Sequence, residues 1–65
     1  MKTIKKLIKQ FNRKFPHYTA YLDRIESYSG NYHICITDEE FGISSWYYFR
    51  SCAEFAEWMK GVVLE

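Results

Sequence analysis

The stretch Tyr32-His33-Ile34-Cys35-Ile36-Thr37-Asp38-Glu39-Glu40-Phe41-Gly42-Ile43-Ser44-Ser45-Trp46-Tyr47-Tyr48-Phe49-Arg50 decides the fold. Two runs rich in β-branched and aromatic side chains flank an acidic pentapeptide that ends in glycine, which is the pattern of a β-hairpin. In the first run Tyr32, Ile34 and Ile36 share one face, and His33, Cys35 and Thr37 share the other. In the second, Ile43, Ser45, Tyr47 and Phe49 alternate with Ser44, Trp46, Tyr48 and Arg50. A period of two residues is that of a strand. Asp38-Glu39-Glu40-Phe41-Gly42 reads as the connecting loop, with Gly42 free to take a positive φ.

On the N-terminal side, Ile4, Leu7, Ile8 and Phe11 recur at helical spacing and make one apolar stripe. Lys2, Lys5, Lys6, Lys9 and Arg13 fall on the opposite side. Pro16 disfavours helical geometry at Phe15, so the helix is expected to end around Lys14. A further strand is expected over residues 18–27, where Leu22 and Ile25 have opposite parity. That mismatch calls for a bulge near Asp23-Arg24, or for both faces to be partly covered. Ser29-Gly30-Asn31 is a turn signal, and Gly30-Asn31 suits a tight hairpin.

On the C-terminal side, Ser51 and Glu54 have the spacing of a capping box, in which each side chain satisfies a backbone N–H at a helix start. Phe55, Trp58, Met59 and Val62 supply that helix's apolar stripe. Gly61 is placed to end it, leaving Val62-Val63-Leu64 as a packed tail. The element order is therefore α-β-β-β-α, a single α+β domain over residues 1–65. Short connections make the sheet a three-stranded antiparallel meander, with both helices packed on one of its faces.

A chain of 65 residues lies near the lower limit for folding without a staple, so its core must be dense. Thirteen aromatic residues are one means to that end. With 48% hydrophobic and 26% charged residues the composition is that of a globular domain. No apolar run of signal-peptide or membrane-spanning length occurs, so a cytoplasmic protein without membrane contact is expected. In a reducing compartment Cys35 and Cys52 are expected as thiols.

Charge is strongly polarised. Residues 1–14 carry six basic side chains and no acidic one, although the net charge of the chain is only +1. Lysines at a helix N-terminus oppose its macrodipole, so the basic face of Lys2, Lys5, Lys6, Lys9 and Arg13 is more than a stability choice and could meet phosphates or an acidic protein. A polar face that merely solubilises the helix is the plainer explanation. Asp38, Glu39 and Glu40 form the acidic counterpart, which could imitate phosphates, meet the basic helix of a second copy, or simply be solvated. Trp46, Tyr48 and Arg50, with His33, fall on the sheet face opposite the expected core. Such residues are usual anchors of protein interfaces, open-sheet aromatics beside arginine can also stack bases, and in a domain this small they can equally just wrap a thin core.

No motif for catalysis or metal binding emerges. His33 and Cys35 share a strand face, but no paired spacing of ligands completes a zinc site. No P-loop, GxGxxG, HExxH or GxSxG sequence occurs, so neither enzymatic activity nor a cofactor is expected.

In its element order the chain resembles the double-stranded-RNA-binding domain. That family grips phosphates with a basic cluster at the start of its last helix. The matching stretch here, Ser51-Cys52-Ala53-Glu54-Phe55-Ala56-Glu57, is acidic, and Ser45-Trp46-Tyr47-Tyr48-Phe49 replaces a glycine-rich approach. The resemblance implies topology alone. Size and element order also resemble small inhibitors encoded by phages and other mobile elements. Phe, Tyr, Ile and Lys outnumber Gly, Ala, Arg and Pro, which fits AT-rich coding from such a source.

The function expected first is a non-catalytic protein-interaction module of bacterial or phage origin, binding another protein or a second copy of itself. The alternatives are a nucleic-acid-binding domain that uses the basic helix, or a mobile-element inhibitor of a nucleic-acid-processing protein.

Overall fold

The computed structural model describes residues 3–62. Helix α1 spans Ile4–Lys14, strands β1, β2 and β3 span Tyr18–Ile25, Tyr32–Asp38 and Ile43–Phe49, and helix α2 spans Cys52–Gly61. The strands form one antiparallel sheet in the order β1-β2-β3, and both helices pack on the same face of it. The α-β-β-β-α architecture is the one the sequence pattern requires. Lys2, Val63 and Leu64 lie outside the described residues.

Each helix begins where a hydroxyl can occupy an orphan amide. Thr3 Oγ1 accepts from Lys6 N at 3.3 Å, and Ser51 Oγ accepts from Glu54 N at 3.1 Å. The second half of the expected capping box is redirected, because Arg50 Nε donates to the Glu54 carboxylate at 3.1 Å. At the far end of α2, Lys14 Nζ donates to the Met59 carbonyl at 2.9 Å and lies over the Phe15 ring. A cation at a helix C-terminus is favourable, so this lysine fastens the end of α1 to the last turn of α2.

Ile4, Leu7, Ile8 and Phe11 of α1 are buried against Ala20, Ile34, Ile36, Phe49, Phe55 and Met59. Aromatic rings fill the centre of this thin core. Phe11 stacks on Trp58 with centroids 6.0 Å apart, and Phe49 lies 4.9 Å from Phe55 and 5.3 Å from Trp58.

β1 carries the expected irregularity. The register with β2 shifts between Leu22 and Arg24, so Leu22 pairs with Ile34 and Ile25 with Tyr32. The extra residue, Asp23, is what returns Leu22 and Ile25 to the same face despite their opposite parity.

The two hairpins share one construction, longer than the tight turn expected at Gly30-Asn31. In the first, Glu26 N donates to Asn31 O and Gly30 N donates back to Glu26 O, which encloses the four residues 27–30. In the second, Asp38 pairs with Ile43 and Gly42 N donates to Asp38 O at 2.7 Å, enclosing residues 39–42. The fourth loop residue is a left-handed glycine in both, with φ of 75° at Gly30 and 68° at Gly42. An added Cβ would meet nothing within 4 Å at either position, so substitution costs conformational strain alone. Gly30→Ala and Gly42→Ala are each expected to lose about 1 kcal/mol, with Asn tolerated better. Urea unfolding measures this, and unchanged midpoints would refute the left-handed assignment.

Candidate interaction surface

Alternating side chains of the three strands build a regular grid on the sheet face opposite the helices. Its rows are Thr19-Thr37-Ser44, Tyr21-Cys35-Trp46 and Arg24-His33-Tyr48. The hydrogen-bond phase of the ladder explains how closely these neighbours approach. Asn12 holds both polar atoms of Ala20 from outside β1, so Ala20 and Ile36 form a non-hydrogen-bonded pair. Strict alternation then makes Thr37–Ser44, Cys35–Trp46 and His33–Tyr48 non-hydrogen-bonded pairs as well, and side chains lie closest in such pairs. Accordingly the Thr37 and Ser44 hydroxyls are 2.9 Å apart, and the His33 and Tyr48 rings meet edge-on at 4.5 Å.

The central strand is consequently shielded by the aromatics of its neighbours. Cys35 is 1% exposed and His33 7%, although no helix covers this face. The shielding rings remain accessible: Tyr21 is 48% exposed, Trp46 54% and Tyr48 63%. Trp46 and Tyr48 therefore stand together with His33, as their parity on the strands requires. His33 serves as a buried support and not as an exposed contact. Arg50 lies one residue beyond β3, exposed and paired with Glu54, at the rim of this face.

A hydrogen-bond network fixes the end of the grid at the first hairpin. His33 Nε2 is 3.0 Å from Glu26 Oε2, and Ser29 Oγ donates to Glu26 Oε1 at 3.0 Å. These contacts, led by His33 and followed by Ser29 and Tyr28, hold the Glu26 carboxyl below the usual range. A depressed carboxyl contributes stability that is full above its unfolded value of about 4.3 and is lost as pH falls through its folded value. Part of the stability lost in acid is thus expected to come from this hairpin. Glu26→Gln should flatten the acid limb of a stability–pH curve, and an unaltered limb would contradict this assignment.

Tyr21 and Glu26 are the parts of this surface that pattern reading missed. Tyr21 has parity opposite to Ala20 and Leu22, so the signal was present in β1. For Glu26 no sequence signal exists, because its partner depends on hairpin length. Each cysteine also meets a phenol, on opposite sides of the sheet. Cys52 Sγ is 3.7 Å from the Tyr32 hydroxyl, and hydrogen bonding to Cys35 raises the Tyr21 phenol above its ordinary value. Both thiols are free.

The acidic loop divides into two roles. Asp38 Oδ1 accepts from the amides of Glu40 and Phe41 at 2.9 and 3.3 Å, so this carboxylate closes the turn. Glu39 and Glu40 are exposed. Lys5, Lys6, Lys9 and Arg13 are also exposed, on the outer side of α1 and thus across the sheet from Trp46 and Tyr48. Among the described residues no three His, Cys, Asp or Glu side chains gather as a metal site would need. No helix there is long and apolar enough to cross a membrane.

No family model, curated protein or solved structure matches this chain.

Proposed function

We propose that this chain is a non-catalytic protein-interaction module whose contact surface is the open sheet face. The observation that carries this reading is the group of exposed aromatics, Tyr21, Trp46 and Tyr48, that flanks the buried Cys35 and His33 in two neighbouring rows. Rings on a sheet lose little side-chain entropy when they bind, and Trp and Tyr give large contact areas of the kind that dominates binding energy. Arg50 at the rim and the exposed Glu39 and Glu40 would supply orientation by charge.

Nucleic-acid binding is the weaker reading because most of its cations are separated from its aromatics. Base stacking would use Trp46 and Tyr48, beside which stand only Arg24 and, at the rim, Arg50, whereas Lys5, Lys6, Lys9 and Arg13 project from α1 on the other side of the sheet. A duplex gripped by α1 alone would leave the aromatic row unused.

Affinity capture from the organism that makes the chain, with and without nuclease, tests this function. A partner retained after nuclease and lost with Trp46→Ala is expected. A partner lost on nuclease treatment, kept by Trp46→Ala and abolished by replacing Lys5, Lys6, Lys9 and Arg13 with serine would overturn it.

A further inference from the structure

The two outer edges of the sheet are unlike. On the first half of β1 outward backbone groups are occupied: Tyr18 N donates to Phe15 O at 3.0 Å, and Asn12 takes both the N–H and the C=O of Ala20. Beyond them the strand bulges at Asp23 and carries Arg24. Blocking groups, bulges and charges are the devices by which edges are kept from pairing. Among the described residues β3 has none of them. Its sequence, Ile43–Phe49, contains no charge and no proline, and its register with β2 is unbroken. The phase set by Asn12 turns the amides of Ser44, Trp46 and Tyr48 outward, where the sheet has no further strand.

From these features we infer that this chain also pairs with a second copy of itself, added antiparallel along the outer edge of β3 so that two three-stranded sheets become one. The inference goes beyond the interaction reading above, because the second copy joins the sheet at its edge and leaves the open face exposed. A two-fold axis requires the pairing to be self-complementary. The register that pairs all of β3 places Trp46 opposite Trp46 of the second copy, hydrogen-bonded through both outward groups, with Ser44 opposite Tyr48. The open face then becomes one continuous aromatic band, and cross-strand aromatic pairs favour such a ladder. The same register carries Arg50 alongside the 39–42 loop of the second copy, where Glu39 and Glu40 are exposed. Symmetry repeats this charge match at the other end. A partner with an unrelated sequence has no reason to offer an uncharged strand flanked by acid at one end and arginine at the other.

Sedimentation equilibrium up to about 1 mM is the test, since weaker association than that amounts to less than about 4 kcal/mol. Near-ultraviolet circular dichroism checks that each variant is folded. The wild-type chain is expected to dimerise. Ser44→Pro, which removes an outward N–H and leaves the aromatic row in place, is expected to give monomers. Arg50→Glu should weaken the dimer by about tenfold or more, as loss of a charge pair at an interface does. Adding Glu39→Lys and Glu40→Lys to Arg50→Glu should restore it, a rescue that survives even if Ser44→Pro disturbs folding. A monomeric wild type overturns the inference, and capture that still depends on Trp46 then leaves the interaction reading standing. A dimer indifferent to Ser44→Pro and to the charge exchange, yet broken by Trp46→Ala, means face-to-face association and also overturns it.

Discussion

Phe11→Ala is expected to remove a third or more of the domain's stability and to lower its melting temperature steeply. Phe11 is fully buried, with its ring 4.9 Å from Phe15, 6.0 Å from Trp58 and 6.5 Å from Phe55. It is the place where α1, α2 and the aromatic core meet, so the lost contacts belong to several elements at once. Truncating a buried phenylalanine costs about 3–5 kcal/mol. Stability of about 0.05–0.15 kcal/mol per residue gives a domain of 65 residues about 3–10 kcal/mol in total, so the loss takes a third of it or more. Near-ultraviolet circular dichroism of the variant should lose its fixed aromatic signal at a far lower temperature than the wild type does. Phe11→Leu, which keeps most of the volume, should stay folded with a lower melting temperature. A Phe11→Ala variant that melts cooperatively near the wild-type temperature would mean that the aromatic cluster is not the core.

Asn12→Leu is expected to cost about 1–3 kcal/mol, although it replaces a polar side chain by an apolar one. Asn12 Oδ1 accepts from Ala20 N at 2.7 Å, and Asn12 Nδ2 donates to Ala20 O at 3.1 Å. A helix side chain thus stands in for a missing strand at a half-buried edge. Leucine leaves a peptide N–H and C=O without partners and opens the β1 edge to other chains. Hydrogen exchange at the Ala20 amide should accelerate markedly, and the variant should aggregate more readily than the wild type. Asn12→Asp should keep the accepting half of the contact and lose the donating half, giving an intermediate exchange rate. Unchanged protection at Ala20 in Asn12→Leu would remove Asn12 from this role.

These two residues mark where sequence reading works and where it stops. Phe11 was legible because an apolar stripe at helical spacing needs no knowledge of what covers it. The bulge at Asp23 was legible too, since Leu22 and Ile25 could reach one face in no other way. Asn12 was not, because its hydrogen bonds depend on how α1 is placed against β1, and no local pattern encodes that. Hairpin length was misread for a similar reason. Gly30-Asn31 suits a two-residue turn, yet here Gly30 fills the last position of a four-residue loop that Glu26 and Asn31 close.

The candidate surface was half legible. Parity placed Trp46, Tyr48 and His33 on one face, but exposure separated them into two accessible rings and a buried support. Asp38 looked like one of three equivalent loop acids and instead holds the turn, a habit of Asp that the sequence could have signalled. Arg50 looked like a sheet residue, while its spacing of four from Glu54 already offered an ion pair at the helix start. Charge polarity was plain in the sequence. That the basic helix face and the aromatic face lie on opposite sides of the molecule became visible only with the helices docked.

That separation makes the central claim directly measurable. A photoreactive phenylalanine derivative placed at position 46 reports what touches the open sheet face, and one placed at position 9 reports what touches the outer side of α1. In cells that make the chain, irradiation should yield nuclease-resistant protein adducts from position 46, among them one of twice the mass of the chain, and few from position 9. Adducts formed from position 9 alone, or carrying nucleic acid that nuclease removes, would contradict the assignment of the open face as the contact surface.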